Sequence, residues 1–122
     1  MCKNTQGLSK AERFKDRALF TSLFKQGKYS KSTNFSLRLL PNKLNISRLG
    51  ISITKKVIAK AACRSRIKRL IREAFRVNKY RLATGYDMLI RPKQLSIVNL
   101  AYKDIEKELL NLWKRAGVLK QA

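Results

Sequence analysis

The order of apolar and polar residues along this chain predicts three helices and three strands. Near the amino terminus, Ser9 and Glu12 have the spacing of a capping box, and an apolar stripe then runs up to Gly27. The stripe consists of Leu19, Phe20, Leu23 and Phe24. A short amphipathic helix that ends at Gly27 is therefore expected.

Two strands are predicted next. From Thr33 to Leu40 apolar and polar residues alternate, and a turn containing Pro41 and two asparagines leads into a second strand over residues 46–54. We expect the two strands to form a hairpin. One side of the second strand is apolar and faces the core, with Leu49, Ile51 and Ile53; the other side is small, polar and cationic, with Arg48, Gly50 and Ser52. That second side could bind an extended chain, although most polar sheet faces are simply exposed to solvent.

The stretch from Lys55 to Arg76 predicts one long basic helix, beginning near Val57 and ending by Asn78. At about 100° per residue, its apolar residues fall within one arc: Cys63, Ile67, Leu70, Ile71, Ala74 and Phe75. Basic residues cover the opposite half, and Glu73 is the one acid in the stretch. Because so much like charge repels itself, this face is expected to bind a polyanion.

A further strand, Tyr86 to Arg91, is closed by Pro92, and a last helix carries an apolar stripe that ends before Gly117. The stripe consists of Ile105, Leu109, Leu112 and Ala116, with Trp113 beside it. The alternation of helices and strands predicts an α+β fold, a two-layer sandwich in which helices pack on a mostly antiparallel sheet.

The composition of the chain indicates which class of partner it binds. The chain has 122 residues, and we expect one domain over 1–122 with loose tails at 1–10 and 117–122. Its formal charge of +22, from 29 Lys and Arg against 7 Asp and Glu, favours a nucleic acid. No apolar run approaches the roughly 20 residues of a membrane-spanning helix, and the amino terminus lacks the apolar core of a signal peptide. A cytoplasmic protein without a membrane partner is expected.

The candidate chemistry of the side chains is sparse. The chain has no histidine, so the commonest general base and metal ligand are absent. The carboxylates are scattered along the chain, whereas a two-metal nuclease needs several that converge. We therefore predict neither catalytic residues nor a metal site on the protein.

Two segments carry a resemblance to a known family. RLGISITKK, from Arg48 to Lys56, followed by RSRIKRLIREAFR, from Arg64 to Arg76, resembles the bacterial ribonuclease P protein subunit. Flanking features agree over roughly residues 12–116. One position departs from the family signature, which has Arg-Asn-Arg where this chain has Ser65 between two arginines.

The resemblance implies a fold like that of domain 2 of ribosomal protein S5, with a left-handed crossover between parallel strands. It also implies a non-catalytic subunit: a large catalytic RNA holds the magnesium ions and removes the 5′ leader of precursor tRNA. The positions that would face the RNA are Lys55, Lys56, Arg64, Ser65, Arg66, Lys68, Arg69 and Arg72. The positions that would line a cleft for the leader are Phe20, Phe24, Phe35, Arg38, Arg48 and Ser52.

The residues alone also allow different roles. The spacing of Phe20 and Phe24 beside two leucines also fits a core. The main alternative function is a basic structural RNA-binding protein of ribosomal or RNA-chaperone type. A helix-turn-helix DNA-binding protein fits less well, because the basic helix follows strands rather than a helix and a turn. A free-standing nuclease is the remaining alternative.

Overall fold

The computed structural model describes residues 17–94 and 99–119, which form three helices, four strands and a short 3-10 turn. The helices are α1 (Arg17–Gln26), α2 (Ala61–Asn78) and α3 (Tyr102–Ala116), and the 3-10 turn is Lys79–Arg81. The strands are β1 (Lys28–Lys31), β2 (Phe35–Pro41), β3 (Arg48–Ile51) and β4 (Tyr86–Pro92). The expected α+β class is confirmed. The predicted capping box at Ser9 and Glu12 lies outside the described residues.

The strands form one mixed sheet in the order β1-β2-β4-β3. The β1–β2 and β2–β4 pairs are antiparallel, as expected of a mostly antiparallel sheet, and the β3–β4 pair is parallel. The predicted hairpin between 33–40 and 46–54 is wrong, because β4 lies between β2 and β3. In β4, Met88, Leu89 and Ile90 are all fully buried, so this strand takes an interior place in the sheet. The parallel pair needs a long crossover, which α2 supplies.

Strand β1 was not predicted from the sequence. Its four residues, KYSK, lack apolar alternation, and its two lysines lie at an exposed edge of the sheet. The register places Tyr29 opposite Arg38 and Lys31 opposite Ser36. The strand forms because the edge of β2 is available for pairing. The residue pattern of a single strand does not show which edge it will pair with.

The two faces of the sheet are covered by different helices. The core face, which carries Leu37, Leu39, Leu49, Met88 and Ile90, packs against α2 and α3 in the main hydrophobic cluster. The α1 face, which carries Ser36, Arg38, Leu40, Leu89 and Arg91, lies under α1, and a small cluster joins Leu23 and Leu89 to half-buried Leu19, Phe20 and Leu40. The sheet therefore has one thick apolar layer and one thin, partly polar layer.

The apolar arc of α2 is confirmed. Ile67, Ile71, Ala74 and Phe75 are buried, and Cys63 and Leu70 pack against them from the margins. The start of the helix differs from the prediction, since α2 begins at Ala61. Residues 54–57 form a turn in which the amides of Val57 and Ile58 both donate to the Thr54 carbonyl at 3.1 Å. Lys55 and Lys56 therefore lie in this turn and not on the helix.

The ends of α1 and α3 depend on glycine. A Cβ at Gly27 would lie 2.4 Å from the Leu23 carbonyl oxygen, to which the Gly27 amide donates at 2.9 Å. Gly117 has a φ of 85° and closes α3 in the left-handed conformation. The apolar stripe of α3 is buried as predicted. None of the helices in the described ranges combines the length and apolar content that crossing a membrane requires.

Candidate nucleic-acid interface

The exposed side of α2 is a cationic face. Ser65 and Arg69 are exposed, and Arg72 and Arg76 lie half-buried farther along the same side. Glu73, the acid on this helix, accepts a hydrogen bond from Nε of Arg76 at 3.0 Å, so its charge is balanced within the helix. Arg64, Arg66 and Lys68, also on α2, are half-buried. This face suits the phosphates of a nucleic acid.

Two of the signature arginines also organise neighbouring loops. Nη1 of Arg64 donates to the carbonyl oxygens of Ile58 at 2.9 Å and Ala59 at 2.7 Å. Nη2 of Arg66 donates to the Leu100 carbonyl oxygen at 3.2 Å. These hydrogen bonds to backbone carbonyls fix the directions of both guanidinium groups. The turn with Lys55 and Lys56 follows β3 after Ser52 and Ile53, and the segment that Arg64 holds joins it to α2.

A cluster of aromatic and arginine side chains lies on the α1 face; we call Phe24, Tyr29, Arg38 and Arg91 the arginine–aromatic cluster. The guanidinium carbon of Arg38 lies 4.8 Å from the ring centre of Phe24 and 4.6 Å from that of Tyr29. The guanidinium carbon of Arg91 lies 5.1 Å from the Phe24 ring. Phe24 is 40% exposed and Tyr29 is 47% exposed. The cluster therefore places cations over aromatic rings that remain partly exposed to solvent.

Five of the six predicted cleft positions belong to the α1 side of the sheet. Phe24 and Arg38 are in direct contact, and half-buried Phe20 adjoins them on α1. Arg48 lies on β3 with half-buried Ser52 just beyond the strand, and the Ser52 amide donates to the Ile90 carbonyl at 3.1 Å. Pattern analysis missed Tyr29 and Arg91, because only the strand register of the folded sheet places Tyr29 opposite Arg38 and Arg91 opposite Ser36.

Phe35 is the sixth predicted cleft residue, and its assignment is wrong. Its side chain is fully buried on the core face, among the residues that pack against α2 and α3. The alternation in β2 sends residues 35, 37 and 39 to one face and Arg38 to the other. Phe35 therefore stabilises the core and cannot stack on a base.

Arg48 is held by an acid. Its Nε and Nη2 donate to the two carboxylate oxygens of Asp87 at 2.7 and 2.8 Å, and Nδ2 of Asn42 donates to Oδ1 of Asp87 at 3.0 Å. Asp87 is 2% exposed. This pair fixes Arg48 at the edge of the α1 face and reduces the net charge it offers to a ligand.

The carboxylates of the described residues all have internal hydrogen-bond donors. Besides Glu73 and Asp87, Glu108 accepts from the Asn34 amide at 2.7 Å and Ser32, Glu106 accepts from Asn78 at 2.8 Å, and Asp104 accepts from the Ala101 amide at 3.3 Å. Within residues 17–94 and 99–119, no three His, Cys, Asp or Glu side chains are grouped to hold a metal ion. The acids therefore fasten helices and loops together.

Two pKa shifts arise where α2 meets α3. Burial, reinforced by the Glu106 and Glu73 carboxylates, raises the pKa of Tyr102 to about 12, so its hydroxyl stays protonated and donates to Glu106 at 3.4 Å. The hydrogen bond from Arg76 to Glu73 raises the pKa of Arg76 above its usual value. Arg76 therefore stays charged and Tyr102 stays neutral at neutral pH.

Comparison with known proteins identifies the family to which this chain is similar. The Ribonuclease P family matches residues 8–117. A ribonuclease P protein component from Clostridium botulinum is 39% identical over 100 residues, covering 81% of this chain and 88% of the relative. One from Dictyoglomus turgidum is 37% identical over 115 residues, covering 92% and 94%.

Solved structures give the same result. The RNase P protein of Staphylococcus aureus superposes with a TM-score of 0.81 at 31% identity, covering 91% of this chain and all of that chain. The RNase P protein of Thermotoga maritima superposes with a TM-score of 0.79 at 34% identity, covering 85% and 96%. The chain therefore belongs to the ribonuclease P protein component family, whose members are subunits of an endoribonuclease.

Proposed function

We propose that this chain binds the catalytic RNA of ribonuclease P through α2 and the turn before it, and holds the 5′ leader of precursor tRNA on the α1 face. It thereby assists the endonucleolytic removal of the leader. The observation that carries the proposal is the position of the two surfaces. The cationic face belongs to a helix packed on the core face, and the arginine–aromatic cluster lies on the opposite face of the same sheet. One protein can therefore contact two RNA segments at once.

The chemistry of α2 supports the contact with the catalytic RNA. Exposed Arg69, with Lys55 and Lys56 in the preceding turn, presents cations that contact phosphates without selecting a sequence. Arg64 and Arg66 are directed by their carbonyl acceptors, so little side-chain entropy is lost when they meet phosphates. Ser65 is exposed at the centre of this face, where the family has asparagine.

The chemistry of the arginine–aromatic cluster supports the contact with the leader. An unpaired base can stack on the exposed ring of Phe24 or Tyr29, and the Arg38 and Arg91 guanidinium groups beside the rings attract the adjoining phosphates. Stacking tolerates all four bases, which suits leaders of varied sequence. A basic protein of ribosomal or RNA-chaperone type would need no such paired surfaces.

We assign cleavage to the RNA subunit. The described carboxylates are engaged in internal hydrogen bonds, and the chain contains no histidine, so the protein supplies no convergent acid, base or metal ligands there. Magnesium would be held by the RNA and would supply charge stabilisation and an activated water at the scissile phosphate. We place this reaction in the cytoplasm.

A reconstitution assay tests the proposal. Precursor tRNA with magnesium would be incubated with the protein alone, the RNA subunit alone, and both together. We expect no cleavage by the protein alone and faster cleavage at the leader junction by the mixture than by the RNA alone. Cleavage by the protein alone would contradict the assignment of catalysis, and a mixture no faster than the RNA would contradict the assisting role.

Phe24→Ala tests the leader surface separately. Because stacking contributes about 1–3 kcal/mol per base, we expect the holoenzyme's Kd for precursor tRNA to rise about fivefold or more. The Kd for mature tRNA, which has no leader, should stay unchanged and serves as the control. An equal loss for both RNAs would show that Phe24 acts through the fold rather than through the leader.

A further inference from the structure

A cavity of about 290 Å³ lies at the far end of α2, away from the turn with Lys55 and Lys56. Its walls come from the end of α2, the 3-10 turn, and the segments that precede β3 and β4. Ile46, Phe75, Leu82 and Ala83 make it mostly apolar, and Tyr80 and Lys79 lie along its side. Its volume is just below the usual range for ligand pockets, about 300–1,000 Å³, so it suits one planar group rather than a peptide segment.

Tyr80 is a large aromatic side chain left in solvent beside this cavity. It is 73% exposed, more than the other exposed large apolar side chains among the described residues. It belongs to the 3-10 turn that continues directly from α2, and Leu82, just past the turn, is 1% exposed and anchors it in the core. The ring is thus presented on a fixed piece of backbone, although its own contacts with the core are few.

Tyr80 also continues the cationic face of α2. Residues 65, 69, 72 and 76 follow one another at intervals of three and four on one side of α2, and Tyr80 lies in the 3-10 turn directly after the helix ends at Asn78. Lys79 and Arg81 flank the ring and are both exposed. A polyanion that runs along α2 from Arg69 therefore reaches an aromatic ring, an apolar cavity and two more cations at the end of the helix.

We propose that this cavity binds one unpaired nucleobase of the RNA subunit, with the base stacked on Tyr80 and the phosphates on either side of it next to Lys79 and Arg81. The inference rests on the proposed function for the identity of the RNA. The cationic surroundings favour a nucleotide over an apolar peptide or a lipid. We assign the base to the RNA subunit rather than to the leader because the cavity lies at the end of the helix that carries the cationic face, whereas the leader surface lies on the α1 face of the sheet.

The test measures the Kd of the wild type and three variants for the RNA subunit and, separately, for a single-stranded leader oligonucleotide. Tyr80→Ala should raise the Kd for the RNA subunit about fivefold or more, since one stacked base is lost. Tyr80→Phe, which keeps the ring, should bind within about twofold of the wild type. Leu44→Ala is the matched control, because Leu44 is a 46% exposed apolar residue that does not line the cavity.

The outcomes separate the two proposals. Wild-type affinity of Tyr80→Ala for the RNA subunit would overturn the inference and leave the proposed function standing. A loss confined to the leader oligonucleotide would overturn the assignment of the base to the RNA subunit. Failure of the wild-type protein itself to bind the RNA subunit would overturn the proposed function and this inference with it. A weakened Tyr80→Phe would show that the hydroxyl, and not stacking, makes the contact.

Discussion

Replacing Arg69 with glutamate should weaken binding of the protein to the RNA subunit by about ten- to a hundredfold, or about 1.4–2.8 kcal/mol. Arg69 is exposed near the middle of α2. Glu73, the acid of this helix, is hydrogen-bonded to Arg76. Reversing its charge removes one phosphate contact and places a repulsive carboxylate against the RNA backbone. The slope of log Kd against log salt concentration should also become smaller, by about the contribution of one phosphate contact.

Lys103→Glu supplies the matched control for this prediction. Lys103 is exposed on α3, outside both proposed surfaces, and its replacement changes the net charge by the same amount. It should weaken binding much less, because only the long-range field of the protein changes. Filter-binding measurements at several salt concentrations would give Kd and slope together. Equal losses in the two variants would show that total charge, and not the α2 face, determines binding.

The helices could be predicted from the sequence because each buries one stripe at helical spacing. The six apolar residues of α2 all face the core, and the stripe of α3 ends before Gly117, as its spacing indicated. The start of α2 could not be predicted in the same way, since Lys55 and Lys56 fit a basic helix by composition. The Thr54 carbonyl accepts two amides in a turn there, and hydrogen bonds of this kind leave little trace in an apolar pattern.

The arrangement of the strands could not be predicted from alternation. Alternation assigned faces correctly in β2 and β3 but could not say that β4 would lie between them, because pairing depends on contacts distant in sequence. The prediction of the cleft for the leader was limited in the same way. Phe35 and Arg38 are three residues apart and point to opposite faces, whereas Tyr29 and Arg38 meet only through the register of two strands.

Asp87 links the sheet to the leader surface, and its loss should be the most destabilising change that we propose. The side chain is almost fully buried, and its two carboxylate oxygens accept hydrogen bonds from Arg48 and Asn42. Removing one partner of a buried pair costs about 3–5 kcal/mol, because the other charge is left without compensation. The Arg48 side chain is 29% exposed, so water can replace part of the interaction. We therefore expect Asp87→Ala to lower the free energy of unfolding by about 2–4 kcal/mol.

Urea unfolding of three variants would measure this effect and identify its cause. Asp87→Asn keeps one acceptor oxygen for Arg48 and should lose less stability than Asp87→Ala. Glu73→Gln is the matched control for Asp87→Asn: it removes the charge of the partly exposed Glu73–Arg76 pair on α2, keeps one acceptor oxygen, and should cost less than about 1 kcal/mol. The midpoints should shift at a constant denaturant slope, as expected when only stability changes. A loss below about 1 kcal/mol for Asp87→Ala would mean that water satisfies Arg48 and that the pair does not hold β3 against β4.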